Sequence, residues 1–147
     1  MKIIASTSLA ALLAVGLAVG ASPASAQSYA DTVYYQLQDW YDDYSSDGYS
    51  VQNYIIGTLN EDEEDSWTFY FKGGYDYKLV GVCDEDCSDI DMAIYDGKGR
   101  LLDEDVLEDD YPIVDVSVAT GGNYKVELDM YSCSVEPCYF GFAIFYD

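Results

Sequence analysis

The sequence predicts an all-β fold: an antiparallel β-sandwich of seven or eight short strands, preceded by an export signal and one short amphipathic helix. Three observations predict it. Apolar and polar residues alternate at a period of two through most of residues 49–147. Glycine-bearing turn dipeptides punctuate the alternation. Half of the 147 residues are hydrophobic and 16 are Tyr, which places the chain among folded proteins despite 28 acidic side chains against 6 basic ones.

The first element is an address. Lys2 precedes an apolar run from Ile3 to Gly20, and Ala24-Ser25-Ala26 supplies the small residues of a cleavage site. Residues 1–26 therefore read as a secretory signal cut before Gln27, with an uncleaved membrane anchor as the rival. No Cys lies near the cut and no Arg pair precedes the apolar run, so lipid attachment and twin-arginine export lack support. The expected location is secreted or periplasmic, with no membrane contact after cleavage.

Residues 27–48 form the second segment. Val33, Tyr34, Leu37, Trp40, Tyr41 and Tyr44 recur at three- and four-residue steps, which predicts one packing face of a helix over residues 30–46. Asp31 is placed to cap its start, and Gly48 to end it in the left-handed conformation. A membrane-surface or partner-binding helix is the alternative, but Asp39, Asp42, Asp43 and Asp47 make it acidic where membrane helices are basic.

From residue 49 the period is two. Strands are expected around Tyr54–Ile56, Trp67–Phe71, Tyr77–Gly81, Ile90–Ile94, Val114–Val118, Tyr124–Met130 and Phe140–Tyr146. Gly73-Gly74, Asp96-Gly97, Gly99 and Gly121-Gly122 supply the turns. No tandem repeat or long linker divides this region, which reads as a single domain, expected to be monomeric.

Cys83 and Cys87, and Cys133 and Cys138, are two close pairs. Four cysteines allow three connectivities. Export favours disulfides over a four-thiolate zinc site, and the local pairings Cys83 to Cys87 and Cys133 to Cys138 are expected to pin loops at strand ends. Such short closures shape loops more than they hold the fold.

Acidic residues gather at 61–65, around the first cysteine pair, and at 103–110. Crowded loop carboxylates are the hard oxygen donors that Ca²⁺ requires, and Asp84, Asp86, Asp89, Asp91 and Asp96 are the candidate ligands. No EF-hand loop is present, and the competing reading is a solvated surface that confers solubility. A net charge of −22 excludes nucleic acid as a partner.

The absence of histidine removes the commonest general base and the Ser-His relay. Asp47-Gly48 and Asp96-Gly97 are turn dipeptides and not protease signatures, and no serine nucleophile has an SxxK partner. The expectation is a protein that is not an enzyme. Tyr70, Tyr95, Tyr131 and Tyr139 fall on the outward phase of their strands, where exposed rings could stack on sugars or pack on extended peptides. Ordinary sheet preference for tyrosine is the competing explanation.

Several pieces in order resemble the bacterial pre-peptidase C-terminal (PPC) domain: Gly57-Thr58-Leu59, Asp65-Ser66-Trp67-Thr68-Phe69, the run Ser88 to Asp96 with Gly99 after it, Thr120 to Val126, and a last strand rich in Tyr and Phe. The resemblance implies a jelly-roll-type sandwich serving as a non-catalytic accessory module, calcium-stabilised in some relatives and collagen-binding or carbohydrate-associated in others. Asp89, Asp91 and Asp96 match the family's acidic strand-and-turn motif. The helix and both cysteine pairs are additions to the family pattern, and no protease domain accompanies them.

The expected function is an exported binding module that engages a glycan or an extracellular protein, with Ca²⁺ as the one candidate cofactor. The alternative is a structural or protective acidic envelope protein covering basic partners. A secreted hydrolase is third.

Overall fold

A computed structural model describes residues 24–147, with side chains from Ser28 onward. The expected export signal lies outside the described residues apart from Ala24–Ala26. One helix, α1 (Ala24–Ser46), precedes eight strands: β1 (Ser50–Leu59), β2 (Glu63–Phe71), β3 (Tyr75–Cys83), β4 (Cys87–Tyr95), β5 (Leu101–Asp105), β6 (Ile113–Val118), β7 (Gly122–Cys133) and β8 (Cys138–Tyr146). No described helix is long and apolar enough to cross a membrane.

The strands pair antiparallel in two four-stranded sheets, ordered β1-β8-β3-β6 and β2-β7-β4-β5. First and last strands are neighbours, and successive strands mostly alternate between sheets, which is the jelly-roll order. Between the sheets lie the residues of the predicted phase, among them Phe71, Leu79, Ile90, Met92, Ile94, Val126, Leu128, Phe142 and Ile144. Trp67 packs against Phe140 and Phe142 at ring separations of 5.6 and 5.1 Å, and Phe71 stacks on Tyr77 at 4.1 Å. The Tyr77 hydroxyl accepts the Lys72 amide at 2.8 Å, so this buried phenol is not left unpaired.

Strand β5 is the one that the sequence reading did not include among the strands. Its last three residues fall in the acidic run at 103–110, and only Leu102 packs against the core, so neither propensity nor alternation marks it. Pairing with β4, as Ala93 to Glu104 and Ile94 to Asp103, imposes the conformation.

Helix α1 roofs the outer face of the β1-β8-β3-β6 sheet. Val33 and Leu37 are buried against Val80, Val82, Ala143 and Phe145, and the half-buried Trp40 and Tyr44 pack against the same cluster. That cover explains why β8 is apolar on both phases: Phe140, Phe142 and Ile144 face the sandwich, while Ala143 and Phe145 face the helix. The helix begins at Ala24, so Asp31 lies inside it and does not cap it. Tyr34 and Tyr41 also differ from the expected packing face. Each sits one residue, about 100° of rotation, beyond Val33 and Trp40, and stays exposed at the margin. The C-terminus ends as expected on Gly48 at φ 98°. The amides of Gly48 and Tyr49 donate to the carbonyls of Ser45 and Tyr44 at 3.2 and 3.0 Å, and the rings of Tyr44 and Tyr49 close over the turn, a Schellman end.

Candidate functional site

Both expected disulfides are present, Cys83–Cys87 and Cys133–Cys138. Cys87 and Cys133 are register partners across β4 and β7, so the two bridges sit side by side at one end of the sandwich. Two disulfides point to an oxidising compartment.

The five aspartates expected to bind calcium are dispersed by the fold. Asp84 is buried and spends its oxygens on the chain: Oδ2 accepts the Tyr139 amide at 2.7 Å and Oδ1 the Asp86 amide at 3.1 Å. Burial raises its pKa, against the lowering effect of those bonds. Asp96 closes the β4–β5 turn, accepting the amides of Lys98 and Arg100 at 2.9 and 3.0 Å and pairing with the Arg100 guanidinium at 3.1 Å. The Arg100 amide contributes most to holding its carboxyl below the usual range. Asp86 lies beside the Tyr29 phenol and raises its pKa. Asp89 and Asp91 remain neighbours on β4. Among the described residues no three carboxylates or thiols already stand as a metal site.

Asp91 belongs instead to the outer face of the β2-β7-β4-β5 sheet, which no helix among the described residues covers. Glu64, Asp129 and Asp91 are successive cross-strand partners on β2, β7 and β4, three like charges in one row. Glu127 and Glu104 line the same shallow depression. Burial, then repulsion from Asp89 and Asp129, pushes the Asp91 carboxyl up to about 6. Asp129 is also raised, by burial and then by Asp62 and Glu127. One corner is neutralised. Lys125 bonds Glu127 and lies 4.3 Å from the centre of the Tyr95 ring, while the Tyr95 hydroxyl donates to Glu127 at 2.9 Å.

The four tyrosines singled out in the sequence do not form a row. Tyr139 is stacked by Tyr29 of the helix with ring centres 6.2 Å apart. Tyr95 is committed to Lys125 and Glu127. Tyr70 and Tyr131 are 63% and 61% exposed, but Tyr70 pairs with Asn123 while Tyr131 adjoins Met130, the partner of Glu63, at the opposite end of β7.

Two clefts flank the helix, and neither was assigned from the sequence. On one side Tyr34, Leu37, Gln38 and Tyr41 of α1 face Val51 and Tyr54 of β1 across an apolar groove of about 210 Å³. On the other, Gln36, Asp39 and Trp40 of α1 face Val82 of β3 and the loop residues Asp110 and Tyr111 across a cleft of about 320 Å³. The side-chain oxygen Oε1 of Gln36, one of the lining residues, is buried without a hydrogen-bond partner. Trp40 and Tyr111 supply aromatic surface, and Asp39 and Asp110 supply acceptors. The helical spacing that places Gln36, Asp39 and Trp40 on one side was readable. The loop that brings Asp110 and Tyr111 to them depends on the β5–β6 connection and was not.

The chain matches no protein-family model, and no curated protein matches it at a significant level.

Proposed function

We propose that this protein is an exported, non-catalytic β-sandwich module that binds a glycan in the cleft between α1 and the β5–β6 loop. The carrying observation is that Gln36, whose side-chain oxygen is buried without a hydrogen-bond partner, lines a cleft bounded by Trp40, Tyr111, Asp39 and Asp110. A buried acceptor without a donor costs free energy that a ligand hydroxyl would recover. Sugars bring both requirements: hydroxyl donors for Gln36 and the two carboxylates, and an apolar ring face for the aromatic side chains. Export is supported by the Lys2-led apolar run, the small residues at 24–26 and the two disulfides. The motif likeness to pre-peptidase C-terminal domains agrees with an accessory role and supplies no ligand.

Isothermal titration of the mature protein against a panel of neutral oligosaccharides tests the reading. Tyr111→Ala and Gln36→Leu should abolish the heat of binding, while Tyr54→Ala in the opposite groove should leave it. Binding that survives both cleft substitutions and disappears with Tyr54→Ala would move the site to the tyrosine groove.

A second reading is favoured by the uncovered row of Glu64, Asp129 and Asp91: an acidic envelope protein that covers a basic partner. Salt separates the two. Capture of a basic protein weakens steeply with ionic strength, whereas stacking on a neutral sugar does not.

A further inference from the structure

The two sheets end on four edge strands, β1 and β6 in one and β2 and β5 in the other. An edge strand presents a row of unpaired backbone groups, and charged side chains are a common means of keeping another chain from pairing with it. Three of these edges are guarded in that way. Strand β2 carries Glu63, Glu64 and Asp65, and β5 carries Asp103, Glu104 and Asp105. On β6 the amides themselves are occupied: Ile113 donates to Asp105 Oδ2 at 2.9 Å and Asp115 to Asp103 Oδ2 at 2.8 Å. Strand β1 holds neither a charged residue nor a proline, in a chain with 28 acidic side chains. Among the described strands it pairs with β8 alone, and its bulge between Val51 and Asn53 leaves residues 54–59 as a regular edge. Carboxylates stand at both ends. Asp47 precedes the strand, Glu61 and Asp62 follow it, and its first residue is the register partner of Tyr146, next to Asp147.

We propose that the β1 edge docks an extended segment of a partner protein, an uncharged β-strand with Lys or Arg at each end, which adds to the sheet beside β1. Main-chain hydrogen bonds along residues 54–59 hold it. Tyr54, 54% exposed, gives the incoming strand an aromatic neighbour on the outer face. The charge pattern selects the partner: a neutral middle lies against the neutral edge, with cations toward Asp47 and Asp147 at one end and Glu61 and Asp62 at the other. A second copy fits worse, because pairing β1 with itself brings the acidic ends of two strongly acidic chains together. No residue of β1 lines the glycan cleft, so the two readings stand or fall separately.

The probe is a synthetic peptide of alternating Val and Thr between paired lysines, titrated into the isotope-labelled mature protein while amide exchange is followed by NMR. The outward amides of residues 54–59 should gain protection as the peptide is added. The same peptide N-methylated at alternate amides keeps its charge but cannot form the ladder, and it should give no protection. Tyr54→Lys, at an exposed position, sets a cation against the peptide and should abolish the effect with an unchanged circular dichroism spectrum. Equal effects of the methylated and unmethylated peptides, protection centred on the β2-β7-β4-β5 face, or no protection at millimolar peptide would overturn the proposal. Protection of the β1 amides that rises with protein concentration alone would also overturn it and assign the edge to a second copy.

Discussion

Asp91 on β4 and Asp129 on β7 are register partners on an uncovered sheet face, so two carboxylates meet side by side across the ladder. Burial, with repulsion from Asp89 and Asp129 added to it, lifts the Asp91 pKa to about 6, so holding a charge there works against the fold. Since the unfolded carboxyl titrates near 3.8, the native state holds this proton more tightly between about pH 4 and pH 6. Stability from this group is therefore lost as pH rises through that window, and the full cost is present at neutral pH. Asp91→Asn should raise stability at pH 7 by about 1 kcal/mol after allowance for solvent screening, and by nothing at pH 4. Thermal melting in EDTA at both pH values checks this. A lower Tm at pH 7 would show that the charge is useful to the apo fold.

Salt should act in the same direction. Among the described residues three ion pairs engage Lys78, Arg100 and Lys125, leaving most of the 28 acidic groups without a basic partner. Sodium chloride from low to physiological strength should raise Tm at pH 7, with a smaller rise at pH 4, where carboxylates are largely protonated.

The helix docks where β8 carries no side chain. A Cβ on Gly141 would stand 2.7 Å from Val33 Cγ1 and 2.9 Å from Leu37 Cδ1. Both are tips of side chains, so Ala should be partly accommodated, whereas Val should lift α1 and open both flanking clefts. Gly141→Val is expected to cost about 1–3 kcal/mol and to expose the helix to proteolysis. Unchanged Tm and protease resistance would mean that α1 is not seated on β8.

Each disulfide closes a loop of sequence separation 4 or 5, short enough that chain entropy alone yields about 2 kcal/mol per bridge. Replacing Cys83 and Cys87 together by Ala should lower Tm while preserving the strand signature in circular dichroism. Loss of the folded state would assign these bridges a larger role than pinning strand ends.

The strands were legible because each buries one face: Trp67, Phe69 and Phe71, or Val126, Leu128 and Met130, announce a period of two regardless of tertiary context. The roof on the second face was also written in β8, where Ala143 and Phe145 occupy the phase expected to be polar. What stayed hidden depends on register and topology. Spacing brought Asp84, Asp86, Asp89, Asp91 and Asp96 together as ligands, but backbone amides claim Asp84 and Asp96, while Asp91 turns to the open face. Gln36 gave no signal beyond its helical position, because its orphaned oxygen is a property of the folded cleft.

The most direct test of the glycan-binding account is a two-dimensional NMR titration of the mature protein with a neutral oligosaccharide panel at low and high salt. The prediction is that the Trp40 indole and Gln36 side-chain amide resonances shift saturably with at least one member, and do so equally at both ionic strengths. Stationary Trp40 and Gln36 signals across the panel, or shifts confined to residues of the β2-β7-β4-β5 face that vanish in salt, would contradict it.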